Sequence, residues 1–462
     1  MAVLLLLLLL LLDTMVSAPS DPVKLIVVGL GQRARAYCKF IDQEYEQAKV
    51  VAVAEPTQAR RDNFARQFSV PEDACFKDYK DIAAMGPKAF GADAVLICTQ
   101  DRMHKECVLA FAPLNYHILC EKPMAPHLED CKAMYDAVRK SGQIFGMGHV
   151  LRYSPHNRTL KKLLDDKVVG DIITINHVEP VGHTHFAHSF VRGNWGREAD
   201  SSFALLAKSC HDIDILQYFM QSTSTNDHKT LPVAVQSFGS LTHFKRSNKP
   251  AEAGDATKCT ACDYERTCPY SAKKIYIDSF EGSGAGGWGF WRVISDVEEL
   301  ASIRHSLATT NYGTCVYELD NDVCDNQIVN LTYNTPYGQA TVAFTMIAFS
   351  TAQCVRKTTI YGSNGELNAD GEDKITVHDF RTDKITEYEV PQIKEAGGSH
   401  GGGDFGLFRS FLEAIGGVKR GESVDAMQLE HIGCTPLDVF KSHEIVFDAE
   451  KSRRQGKVIT LS

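Results

Sequence analysis

The chain has 462 residues, 44% hydrophobic and 23% charged, a balance that suits a globular protein of two or three domains. Its formal net charge is -9, and basic residues run no further than pairs. That argues against a nucleic-acid partner, whose phosphates need clustered Lys and Arg.

Residues 1–19 form a hydrophobic leader with an unbroken leucine run from Leu4 to Leu12. The run falls well short of the roughly 20 apolar residues that span a bilayer, so no stable membrane span is expected. Its length and the Val16-Ser17-Ala18 triplet read as a secretory signal peptide, which would place the protein in the secretory pathway. No Lys or Arg precedes the run and Pro19 follows the triplet, so a misassigned start with a cytoplasmic product is the alternative. The sequons at Asn157 and Asn330 matter only on the secretory route.

Residues 20–148 alternate continuous apolar strands with helices. Strands are predicted at 24–28, 49–54, 94–98 and 117–120, and helices at 60–68 and 128–141. This texture predicts an α/β Rossmann domain with a doubly wound parallel sheet. Gly29-x-Gly31-x-x-Ala34 follows the first strand directly, with Gln32 and Arg33 in the same turn as further cofactor-contact candidates. The first glycine permits the turn, the second lets a pyrophosphate approach, and Ala34 allows close helix–strand packing. Glu55 ends the second strand, where a carboxylate accepts ribose hydroxyls and repels a 2′-phosphate. NAD is therefore the expected cofactor, with Arg60 and Arg61 as a route to NADP. Glu121 and Lys122 follow the strand at 117–120, at the edge where parallel sheets bind ligands. A cationic nicotinamide ring beside Lys122 would favour the neutral amine, which suits a proton relay.

From 149 to 462 strand-like runs dominate, at 172–178, 234–242, 327–333, 340–347, 357–361, 374–377 and 384–390. Their period of two predicts an α+β domain on a large, mostly antiparallel open sheet. Helices are expected at 157–165, 204–219, 298–306, 405–414 and 435–452, and a mobile loop at 282–289. A Cys-rich insertion near 255–290 carries Cys259, Cys262 and Cys268. With Cys315 as the fourth ligand (Cys324 the rival) these would close a structural zinc site; disulfides or free thiols are the alternatives. Two tracts are expected to face the substrate: one with His185, His188, Arg192, Asn194 and Trp195, dense in groups that suit sugar hydroxyls and rings, and the polar-ended glycine turn from His400 to Asp404.

Taken in order, GLGQRA (29–34), AEP (54–56), AVLICTQDRMH (94–104), CEKPMA (120–125), GHVLRYSP (148–155), CHDID (210–214), IYGSNGEL (360–367) and HGGGDFGLF (400–408) run almost end to end. In this the chain resembles the glucose-fructose oxidoreductase/inositol dehydrogenase/MocA (Gfo/Idh/MocA) family. The resemblance implies that Gly29, Gly31 and Ala34 hold the pyrophosphate and Glu55 the ribose. It implies that Thr99, His104 and Glu121 line the nicotinamide, and that Lys122 and His211 contact the reacting hydroxyl. Arg152, Tyr153 and Asp214 join the substrate candidates, Asp214 having a structural reading as well. One departure stands out: many members carry Asp four residues before the His, where this chain has Ala207, with Lys208 as a stand-in. The implied activity is hydride transfer between nicotinamide and a hydroxyl of a sugar, cyclitol or sugar derivative. The HGGGD segment resembles the family's NAD-dependent glycosidase branch, which makes a glycoside hydrolase the alternative. A non-catalytic NAD(P)-binding sensor is the third reading. A homodimer or homotetramer through the open sheet face is also expected.

Overall fold

The structure is a computed structural model and describes residues 21–44, 47–223, 230–282, 289–391 and 399–461. The leader at 1–19 and most of the loop expected at 282–289 lie outside the described residues. Six strands, β1 (Val23–Val28), β2 (Ala48–Ala54), β3 (Cys75–Phe76), β4 (Ala94–Ile97), β5 (His117–Cys120) and β6 (Phe145–Met147), form one sheet in the order β3-β2-β1-β4-β5-β6. Every pairing in it is parallel. The order reverses between β1 and β4, which opens a crevice at the carboxyl ends of these strands. Helices α1 (Gln32–Glu44), α2 (Gln58–Phe68), α3 (Tyr79–Ala84), α4 (His104–Phe111) and α5 (Leu128–Ser141) connect the strands. The boundaries of α5 follow from its chemistry. Glu129 and Asp130 sit in the first turn, Arg139 and Lys140 in the last, and Gly142 caps it in the left-handed conformation.

The second sheet has nine strands: β7 (Ile172–Pro180), β8 (Pro232–Ser240), β9 (Asn326–Thr335), β10 (Gly338–Ile347), β11 (Lys357–Gly362), β12 (Gly365–Ala369), β13 (Lys374–Asp379), β14 (Lys384–Glu389) and β15 (Ile459–Thr460). Their order is β14-β13-β12-β11-β7-β10-β9-β8-β15. Only β7 and β10 pair in parallel; all other neighbours are antiparallel, as the alternating pattern predicted. The remaining long helices are α6 (Pro155–Asp165), α7 (Ala204–Met220), α8 (Leu300–Thr309), α9 (Gly403–Lys419) and α10 (Pro436–Gln455). Helix α7 is buried on all sides except at Tyr218, the mark of an apolar helix sandwiched between layers. Helix α10 opens on a Thr435/Asp438 capping box and ends at Gly456 in the left-handed region.

Two cores result. The first, around the parallel sheet, also takes in Phe405, Phe408, Phe411, Ile415 and Phe440 from the C-terminal helices. The chain thus returns to its first domain after building the second. No helix among the described residues is long and apolar enough to cross a membrane.

Candidate active site

Gly29 has φ +83, and a Cβ there would lie 2.7 Å from the Cys98 carbonyl oxygen. Turn geometry and the close approach of β4 both demand glycine. At Gly31 a Cβ would meet nothing within 4 Å, so the space in front of the turn is open. Ala34 is fully buried beneath it. The Glu55 carboxylate accepts the Leu30 N–H (3.0 Å) and the Thr57 N–H (2.9 Å), which pins it beside the turn. Free N–H groups at the start of α1 complete a cradle that fits a dinucleotide diphosphate. Gln32 sits on this first turn and donates its side-chain amide to the Arg292 carbonyl. Arg60 pairs with Asp296 and Arg61 donates to the Glu55 carbonyl, so both side chains proposed to accept a 2′-phosphate already have protein partners. Gly31→Ala should therefore change the unfolding free energy by less than about 1 kcal/mol. It should weaken dinucleotide binding about tenfold or more, because the methyl fills the approach path; calorimetric titration beside urea unfolding checks both.

Lys122 leaves the carboxyl end of β5, and its Nζ donates to the Ala207 carbonyl at 2.6 Å. Ala207 lies one turn before His211 on α7. Lys122 thus reaches, from the first sheet, the helix that carries His211, and its charge acts on that imidazole. The turn around Lys122 is braced from below. Glu121 accepts from Arg33 Nε (2.8 Å), from the Tyr37 hydroxyl (2.6 Å) and from the Lys122 N–H (3.1 Å). Burial opposes its charge, but Arg33 and Tyr37 outweigh that and hold the carboxyl below its usual range. His104 lies between the carbonyls of Pro123 (2.7 Å) and Thr99 (3.1 Å). Glu121 and His104 thus shape the floor of the site; their polar atoms are occupied by protein.

Several residues read as cofactor or substrate contacts have other work. Arg33 does not face the diphosphate cradle. Its guanidinium bridges Glu121 and Asp404 (2.7 Å), and His400 Nδ1 lies 3.1 Å from the same carboxylate. Asp404 is thereby buried in an ion pair that ties α1 to α9. Arg152 holds Asp214 through two bonds of 2.6 and 2.8 Å, and the Tyr153 hydroxyl donates to the Ile432 carbonyl, so all three are bonded within the protein. Lys208 pairs with Glu179 at 2.7 Å and donates to Cys354 Sγ. Burial would lower its pKa, but Cys354 and Glu179 reverse this and raise it, so Lys208 is held as an ammonium and does not stand in as a base. His188 bonds the Tyr276 hydroxyl and stacks on Phe290; burial, then Arg192, lowers it to about 3. Arg192 donates to the Thr314 and Tyr270 carbonyls and to Cys259 Sγ. The 185–192 tract is short helix and π-helix, almost wholly buried, where a sugar-contact loop was expected.

His185 does reach the site, with Nδ1 3.4 Å from Cys354 Sγ. His400 also reaches it, its ring 5.9 Å from that of His211. Trp195 donates to Asp101 (3.1 Å). Asn194 is exposed and lines a cavity of about 550 Å³ beside Gln100, Asp101 and Arg102, of which neither Lys122 nor His211 is a lining residue.

Missing from the sequence reading were Tyr37, Glu179, Asp212, Cys354 and Arg356. A signal existed for two of them: Glu179 interrupts an apolar strand and Asp212 an apolar helix, and charges placed there are buried.

The zinc expectation fails on spacing. None of the fourteen cysteines is joined in a disulfide. The only group of three potential ligands within 4.8 Å of one another among the described residues is His149, Cys210 and His443, not Cys259, Cys262, Cys268 and Cys315. Cys324, the rival fourth ligand, neighbours Arg453 and Glu450 instead. The His443 nitrogens already meet the Met124 N–H and the Val439 carbonyl, so this second group is a packed core cluster.

A doubly wound domain with an open glycine cradle, facing a mixed-sheet domain that supplies a histidine to the same crevice, defines a two-domain dinucleotide-binding protein. Residues 23–149 match the Gfo/Idh/MocA model, described as an oxidoreductase family with an NAD-binding Rossmann fold, and the chain carries the Rossmann domain of that family. It is 27% identical over 194 residues to a 2,7-anhydro-N-acetylneuraminate hydratase of Escherichia coli, covering 42% of this chain and 48% of that one. It is 24% identical over 246 residues to an inositol 2-dehydrogenase of Klebsiella pneumoniae, covering 53% and 66%. The matched stretch thus spans about half the length of the first of these relatives. A solved levoglucosan dehydrogenase in complex with NADH and levoglucosan superposes with a TM-score of 0.65 at 16% identity, over 95% of this chain and 99% of that one.

Proposed function

We propose that the protein is an NAD-dependent oxidoreductase acting on a CH–OH group of a sugar, cyclitol or sugar derivative. The observation that carries this is the bond from Lys122, at the carboxyl end of β5, to the turn of α7 that leads into His211, in a chain with an open glycine cradle. Gly29, Gly31 and the α1 amino terminus would hold the diphosphate, and Glu55 the ribose of NAD in preference to NADP. When bound, NAD accepts or returns a hydride. The Lys122 amine takes or returns the hydroxyl proton, His211 orients the reacting oxygen, and the Glu121–Arg33–Asp404 bridge keeps the Lys122 turn in place. The named inositol and levoglucosan dehydrogenases support this substrate class. The test is absorbance at 340 nm with NAD or NADP across a panel of aldoses, cyclitols and anhydrosugars. No reduction on any of them removes the reading, and dinucleotide binding without turnover would leave the sensor.

A second reading, an NAD-dependent lyase or glycosidase that regenerates its cofactor, is favoured by the similarity to a hydratase and by Ala207 at the family's Asp position. Product release from anhydrosugars or aryl glycosides without net NADH separates it from the first.

Two expectations collide on the open sheet face. Phe238, Ile328, Tyr361 and Ile385 are exposed on the nine-stranded sheet, and an apolar face of this kind supports a homodimer or homotetramer. Asn330, the second sequon, is exposed on the same face, on β9 between β8 and β10. A glycan there would block that pairing, so secretion with Asn330 glycosylated predicts a monomer and unglycosylated protein an oligomer. Light scattering with and without glycosidase treatment checks this, and an unglycosylated monomer would remove the oligomer.

A further inference from the structure

His211 is 98% buried by its 2% exposure, and its Nε2 lies 2.8 Å from Arg356 Nη2. Asp212 Oδ2 lies 3.6 Å from the same His211 nitrogen, beyond hydrogen-bond distance; a guanidinium carries only N–H donors, so the 2.8 Å contact makes Nε2 the accepting lone pair. The imidazole is then neutral and its single proton sits on Nδ1. That Nδ1 is buried and has no hydrogen-bond partner, an arrangement that leaves a donor aimed at something the protein does not supply.

Arg356 is held where it must be for this. Its Nε lies 2.6 Å from Glu179 Oε2 and 2.9 Å from Asp212 Oδ1, and its Nη1 donates to the Cys354 carbonyl at 2.9 Å. His177 in turn lies 3.4 Å from Asp212 Oδ1 and 2.8 Å from the Thr358 hydroxyl. Two of the three guanidinium nitrogens, Nε and Nη1, are thus fixed by β7, α7 and the loop before β11, and the third, Nη2, faces His211. The Asp that the family resemblance expects four residues before the histidine would favour an imidazolium; Ala207 cannot, and Arg356 does the opposite.

Resting on the oxidoreductase reading, we propose that Arg356 is a positioning residue that fixes His211 as the neutral Nδ1–H tautomer, so that His211 donates a hydrogen bond to the substrate's reacting oxygen and does not accept its proton. Proton transfer then falls to Lys122. The groups facing His211 set the sign of the pH behaviour. Burial lowers its pKa, Asp212 raises it, and Arg356, Lys122 and Lys208 lower it further; the His400 ring meets its edge. Removing Arg356 leaves Asp212 less opposed, so the pKa of His211 rises.

Histidine-selective 15N labelling of the full chain reads the tautomer directly from long-range proton–nitrogen spectra, with His211→Gln assigning the signal. The expected result is a neutral Nδ1–H ring at His211 throughout about pH 6 to 8, the range in which free imidazole titrates. In Arg356→Met the ring should begin to take up a proton within that range, and Arg356→Lys, still a pure donor, should restore the neutral form. A wild-type ring that is charged or carries its proton on Nε2 overturns the proposal, as does a folded Arg356→Met with unchanged titration. Neither outcome depends on turnover, so the oxidoreductase reading survives or falls separately. If Arg356→Met does not fold, the wild-type spectrum decides. In the activity assay, His211→Asn keeps a donor near the Nδ1 position and should retain turnover within about 10²-fold, whereas loss of a true base costs up to about 10⁴-fold.

Discussion

Lys122→Met is expected to lower turnover by about 10³- to 10⁴-fold, the range for removing a proton-transfer group, while dinucleotide affinity stays within about threefold. Methionine keeps the length of the stem and loses the amine. The cradle at Gly29 and Gly31 and the Glu55 carboxylate are untouched, since none of them contacts Nζ. The Ala207 carbonyl loses one of its donors, a cost of about 1 kcal/mol, small enough for the variant to fold. Steady-state rates on the best substrate of the panel, beside calorimetric titration with NAD, give the two numbers. Retained turnover would move the proton to another group, and lost NAD binding would mean that Lys122 holds the cofactor.

The strands of both sheets were legible because their pattern is local: continuous apolar runs where helices cover both faces, and a period of two where one face is open. Helix α5 was legible for the same reason, its caps and end charges lying within its own 14 residues. The partners of charged side chains were not. Arg33 reads as a cofactor contact from its place in the glycine turn, yet its partners Glu121 and Asp404 lie 88 and 371 residues away. Arg356 meets His211 across 145 residues. Sequence spacing carries no information on such pairings, so the reading assigned each isolated charge to a ligand when the fold had a second charge waiting. Lys122 and His211 themselves were singled out only through the family resemblance, because a lysine after a strand and a histidine on an apolar helix are separately unremarkable. The tract at 185–192 shows the converse error. Its histidines and arginine suggest sugar hydroxyls, but the aromatic residues between them bury the segment, and burial sends the polar atoms to Tyr276, Thr314 and Tyr270.

The largest loss of stability is expected from Asp214→Ala. Its carboxylate and the Arg152 guanidinium are 1% and 3% exposed and bonded through two contacts. Truncating one member of such a pair strands the other charge without water or partner, at a cost of about 3–5 kcal/mol. Burial works against the Asp214 charge, but Arg152 and then His149 overcome it and hold the carboxyl far below its usual range. With the folded pKa depressed, this contribution is fully present above the unfolded value of about 3.9 and is lost as pH falls through the folded one. Urea unfolding at neutral pH should therefore show the full difference between wild type and Asp214→Ala, and the gap should narrow only in acid below about pH 4. The same measurement separates the two readings of this residue. Asp214 lies three positions after His211 on α7, where a substrate contact is a natural guess. A contact would lower turnover and leave stability alone. A brace lowers stability first, and the folded fraction of Asp214→Ala should keep most of its turnover in proportion to how well α7 still presents His211.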